Sequence, residues 1–95
     1  MKVYFSPAAD RDLGGAVEFL QQRDDTTAAA ALVDRILYIV EQLAVGAFEG
    51  PIRLLRSGRQ VRTWPVAPYR IYYDKHDDVL EVVRVYHQAR RPIMK

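Results

Sequence analysis

The residues of this chain best suited to chemistry collect near its end, where Arg84, Tyr86 and His87 fall on one strand-like run and Arg90 and Arg91 follow. A guanidinium grips carboxylate or phosphate through parallel N–H donors, while a phenol and an imidazole can hold or pass a proton. Arg62 and Arg70, on two preceding strand-like runs, add cations that a sheet can deliver to the same edge. Holding an anion is the task this set suits. With no cysteine there is neither a disulfide nor a thiolate metal site, and the two histidines, His76 and His87, are too few for zinc. No cofactor and no metal is expected.

The cations are unevenly spread. Residues 1–50 carry four Lys and Arg against eight Asp and Glu, and residues 51–95 carry ten against four, so a net charge of only +2 joins an acidic half to a basic one. Arginine supplies eight of those ten, and its planar fork favours contact with carboxylate or phosphate. An acidic protein or DNA phosphates would match it; a merely solvated face is the plainer reading of charge alone. A chain of 95 residues is expected to be one domain, residues 1–95, with a single modest core. No apolar run approaches the roughly 18 residues of a membrane span, and the N-terminus lacks a secretory pattern. A soluble, unprocessed cytoplasmic protein with no membrane partner is expected.

Positioning these side chains requires a sheet. Met1 to Phe5 reads as a strand that must pair with something later in the chain, and Ser6-Pro7 as a helix start, with serine accepting an orphan N–H and proline losing no used donor. Ala9, Leu13, Ala16, Val17 and Leu20 make an apolar stripe interrupted by Gly14-Gly15, for which close backbone packing is the expected reason and local flexibility the rival. Asp24 or Asp25 caps a second helix that carries Ala29, Leu32, Ile36, Ile39, Val40 and Leu43 and ends near Gly46. The period then changes to two. A short extended piece, a turn at Ser57-Gly58, a strand near Arg59 to Trp64, a strand from Tyr69 to Asp74, a polar loop over residues 75–78 and a strand from Val79 to Tyr86 complete the chain before a basic tail. The expected fold is α+β, in the order β-α-α-β-β-β, with the helical hairpin on one face of a small, mainly antiparallel sheet. Trp64, Tyr69, Tyr72 and Tyr73 are expected in the core or in cross-strand pairs, and Arg70 and Arg84 could pair across the sheet with Asp74 or Glu81.

On these elements the chain resembles a known family. The opening Phe5-Ser6-Pro7-Ala8-Ala9 with Asp12-Leu13, the segment from Val61 to Tyr73, and the ending from Val83 to Arg91 look like the RelE/ParE superfamily of type II toxin–antitoxin modules, and most like ParE, its plasmid-stabilisation branch. The resemblance covers essentially the whole chain. It implies a growth-inhibiting toxin neutralised by a cognate antitoxin, with DNA gyrase as the target in ParE-like members and ribosome-bound mRNA as the substrate in RelE-like members. Any contact with DNA would then be indirect, through the antitoxin or the gyrase complex.

Side chains must choose between these targets. Cleaving RNA through its 2′-hydroxyl needs a base, an acid and cations around one phosphate. Arg62, Arg84, Tyr86 and His87 are the candidates, with Glu49 more remote. The lysines that resemblance to RelE-like nucleases would require are missing, since only Lys2, Lys75 and Lys95 occur, and arginine does not serve as a base. Alternation sets Arg84 and Tyr86 on one sheet face and His87 on the other, so the set converges only if the strand ends or bulges. The reading adopted is a non-catalytic gyrase inhibitor that docks through Arg62, Arg70, Arg84, Arg90 and Arg91, with a ribosome-dependent endoribonuclease as the alternative.

Overall fold

The computed structural model describes residues 1–89; Arg90, Arg91 and the rest of the expected basic tail lie outside the described residues. The elements are β1 (Lys2–Phe5), α1 (Pro7–Gln22), α2 (Thr26–Ala44), β2 (Ile52–Leu54), β3 (Gln60–Val66), β4 (Tyr69–His76) and β5 (Val79–His87). They build the expected α+β architecture: two helices on a five-stranded sheet of order β1-β5-β4-β3-β2, antiparallel except for β1 beside β5. Four strands follow the helices, not three. The short extended piece at Ile52–Leu54 pairs with β3 and forms an outer edge.

Local chemistry sets the boundaries. Ser6 Oγ accepts the Ala9 N–H at 3.0 Å and donates to the Val83 carbonyl at 2.8 Å, so one buried hydroxyl caps α1 and ties it to β5. Asp25, not Asp24, caps α2 by accepting from Ala28 N. Gly46, at φ +78°, ends that helix region in the left-handed conformation. Lys75 and His76 belong to β4 and not to a loop, because Asp77 and Asp78, at φ 50° and 60°, make the turn by themselves. Pro65 also lies inside a strand, opposite Arg70, at a level of β3 beyond its pairing with β2.

The main core lies between helices and sheet, where Ile36, Leu43, Ile71, Tyr73, Leu80 and Val82 are fully buried. Each such aliphatic side chain contributes about 1.5–3 kcal/mol. A second, smaller cluster of Leu55, Val61, Tyr72 and Val83, joined by Tyr86, covers part of the face without helices. A bulge between the two clusters sets the face of everything downstream. Tyr72 sits opposite Arg84 and Tyr73 opposite Val82, leaving Val83 as an extra residue. Strict alternation from Leu80 and Val82 would aim Arg84 and Tyr86 at the helices; the bulge returns Val85 to the helix-side core and gives Tyr86 to the open-face cluster.

The two kinds of glycine part company. A Cβ on Gly50 would stand 1.9 Å from the Thr63 carbonyl oxygen, and the Gly50 N–H donates to the Tyr73 hydroxyl at 2.8 Å, so this position admits no side chain. Gly14 and Gly15 have nothing within 4 Å of a built Cβ. Close packing inside the chain, the expected reason for that pair, is therefore corrected: their space is open.

Candidate functional site

Strand β1 stops at Phe5, opposite Val82, so β5 runs on past its neighbour with a free edge. Helix α1 comes up against that edge. Asp12 of α1 accepts from Arg84 Nε at 2.8 Å and Nη2 at 2.9 Å, and from the Val85 N–H at 3.0 Å, replacing in part the ladder that β1 no longer supplies. The Asp12 hydrogen bonds raise the Arg84 pKa against the opposing effect of burial. The expected pairing of Arg84 and Arg70 with Asp74 or Glu81 does not occur. Arg59 takes those carboxylates, at 2.9 Å to Glu81 and 3.5 Å to Asp74, and Arg70 Nη1 donates to Thr63 Oγ1 at 3.3 Å.

The Arg84 guanidinium lies 4.5 Å from the Tyr86 ring centroid, and that ring meets Tyr72 edge-on at 5.6 Å. Burial raises the Tyr86 pKa, with Arg84 opposing, and its hydroxyl is buried without a hydrogen-bond partner among the described residues. His87 faces the other way, edge-on to Tyr69 at 5.1 Å. Its Nδ1 accepts the Ala89 N–H at 3.0 Å, which places the ring proton on Nε2. Arg62 is elsewhere, on β3, two strands from β5, where Nε pairs with Glu49 at 3.1 Å and Nη1 donates to the Gly50 carbonyl at 2.8 Å. Of the four sequence-chosen nuclease candidates, the fold thus gathers Arg84, Tyr86 and His87 and leaves Arg62 apart.

Those three line one concavity of about 600 Å³ between α1 and the end of β5, with Arg11, Asp12 and Gly15 on the helix side. Its polar groups are largely engaged with one another: Asp12 holds Arg84 and His87 holds Ala89. The open sheet face is the second cationic surface. Arg53, opposite Val61, and Arg70, opposite Tyr86, stand on it with no carboxylate partner among the described residues, while Arg59 is neutralised by Glu81.

Two features escaped the sequence. Asp12 and Arg84 are separated by 72 positions, and no local spacing announces such a pair. His76, given no role from sequence, shares Glu81 with Arg59: its Nε2 lies 3.0 Å from Glu81 Oε1, and this hydrogen bond raises the His76 pKa. Burial pushes Glu81 up, but the His76 and Arg59 hydrogen bonds outweigh it and hold its carboxyl below the usual range. Among the described residues no group of three or more His, Asp or Glu side chains could hold a metal ion, and no helix is long and apolar enough to cross a membrane.

Comparison with known proteins agrees with this architecture. Among solved structures, the chromosomal ParDE toxin–antitoxin system from P. aeruginosa contains a chain that superposes with a TM-score of 0.70 at 17% identity, over 92% of this chain and 95% of that one. At that identity the likeness speaks for the fold. Among curated proteins none matches the sequence. The family described as the ParE toxin of the type II toxin–antitoxin system parDE matches residues 3–92. With Val3–Phe5 of β1, the Ser6-capped helix, the Trp64–Tyr73 segment and the β5 terminus all inside that match, the chain belongs to the ParE toxin family of type II toxin–antitoxin systems.

Proposed function

We propose that this toxin arrests growth by binding DNA gyrase, and that a cognate antitoxin neutralises it by covering the same cationic surface. The observation that carries the reading is how little the candidate catalytic groups are available, two being engaged by other groups and the third buried. Arg84 is tied bidentately to Asp12, the Tyr86 hydroxyl is buried with a raised pKa, and His87 Nδ1 already accepts a backbone N–H. General acid–base cleavage needs a base within reach of the hydroxyl it activates. Here His87 Nδ1 is already taken by the Ala89 N–H, and no lysine is among the residues lining the concavity. Docking asks less: cations on a rigid sheet, supplied by Arg70 and Arg53, and Arg90 and Arg91 beyond the strand end.

The direct test replaces Arg70, Arg90 and Arg91 together by glutamine and leaves Arg84 to hold Asp12. Expressed without antitoxin, the wild type should stop growth and inhibit supercoiling by purified gyrase, and the triple variant should do neither while keeping its thermal melt. Undiminished arrest by a well-expressed variant would overturn the docking surface. The ribonuclease reading draws on the convergence of Arg84, Tyr86 and His87 on one concavity. New 5′ ends in ribosome-bound mRNA that vanish in His87→Ala would establish it in place of gyrase inhibition.

A further inference from the structure

Gly14 and Gly15 sit in mid-helix, where glycine is disfavoured against alanine, and nothing within the chain requires them. They differ in one respect: Gly15 lines the concavity beside β5 and Gly14 does not. A missing side chain at Gly15 exposes helix backbone to whatever enters. Next to it, Phe19 is half exposed on the same wall, with the Arg23 guanidinium 5.1 Å from its ring centroid and the rest of its apolar surface open. Ala16, Tyr69 and Val85 supply the rest of an apolar floor. Above that floor stand Arg11, with no ion-pair partner among the described residues, and the Arg84 guanidinium, whose Nη1 is left over from its pairing with Asp12.

We infer that this cleft receives a short loop of gyrase that carries one carboxylate beside an apolar side chain. The inference rests on the target reading above and names the part of the toxin that does the gripping. A nucleic acid strand is the poorer match. Tracking a polyanion takes several unpaired cations in a row, and here Asp12 already neutralises one of the two arginines. A single carboxylate is answered by Arg11 and the free edge of Arg84, and an apolar neighbour by Phe19 and Ala16 with Gly15 allowing close approach. The cleft also continues the proposed docking surface, since Arg84 borders both.

Gly15→Leu fills the cleft and Arg11→Glu reverses its charge, while Gly15→Ala adds one methyl where a Cβ has open space and guards against misfolding in the larger variant. Gly14→Leu alters the same helix outside the cleft and serves as the reference. Wild-type inhibition of purified gyrase tests the target reading on its own; if the wild type does not inhibit, that reading fails and the named occupant with it. If it does, Gly15→Leu and Arg11→Glu should each need about tenfold more toxin for half inhibition, with Gly15→Ala intermediate and Gly14→Leu unchanged. Equal loss in Gly14→Leu and Gly15→Leu, or no loss in Gly15→Leu and Arg11→Glu, would overturn the inference. So would Gly15→Leu losing capture of antitoxin, or of duplex DNA alone, while still inhibiting gyrase.

Discussion

A carboxylate shared by two cations gives the molecule a pH-dependent element. Glu81 accepts from Arg59 and lies 3.0 Å from His76 Nε2, and the His76 pKa is raised from 6.5 by that contact. Because the folded pKa exceeds the unfolded one, the His76 contribution is fully present below the unfolded value and is lost as pH rises through the folded value. Glu81 runs oppositely. Its pKa is lowered from 4.5, so its contribution is present above the unfolded value and is lost as pH falls through the folded one. The pair is therefore worth most between the two titrations. Thermal melts from about pH 5.5 to 8.5 should show the wild-type Tm declining as pH rises, and His76→Gln should remove that part of the slope. Parallel slopes in the two proteins would show that the contact is not populated in solution.

At the scale of elements, two glycine environments make opposite forecasts. Gly50→Ala drives a methyl into the Thr63 carbonyl and disturbs the loop that Tyr73 and Arg62 hold, and should cost about 1–3 kcal/mol in denaturant unfolding. Gly14→Ala meets nothing and gains helix propensity, so it should stabilise by about 1 kcal/mol. A neutral Gly50→Ala would mean that the loop adapts freely. Much of the element layout was legible in residues: Ser6-Pro7 as a helix start, the stripe of α2, and the Val- and Tyr-rich strands all reflect local propensity and period. Ile52–Leu54 was harder to assign, because a three-residue edge strand becomes one only when β3 offers it a ladder. The bulge at Val83 left no signal in the alternation itself. It is imposed by packing on both sheet faces, where Val82 and Val83 must serve different clusters.

For the whole molecule, charge asymmetry becomes geometry. Five of the eight carboxylates of the acidic half lie on the helices and five of the ten cations of the basic half lie on β2–β5, so an approaching acidic partner is drawn to the sheet side of the molecule. Capture of such a partner should slow as ionic strength rises from about 50 to 500 mM, since exposed arginines steer association through a field that salt screens. Stopped-flow association rates that do not change with salt would remove charge steering from the mechanism.

Composition, period and capping chemistry by themselves determined that this chain is an α+β protein with a helical hairpin on a mainly antiparallel sheet, and the same residues carried the resemblance to ParE. These are short-range properties, readable because each depends on neighbours within a turn or a strand. The tertiary structure alone decided which cations are free. Asp12 claims Arg84 across 72 positions, Glu81 claims Arg59, and Glu49 claims Arg62, while Arg70 is left to a threonine hydroxyl. A guanidinium pairs with whichever carboxylate the fold brings within reach, and that reach is set by packing and by one extra residue in β5.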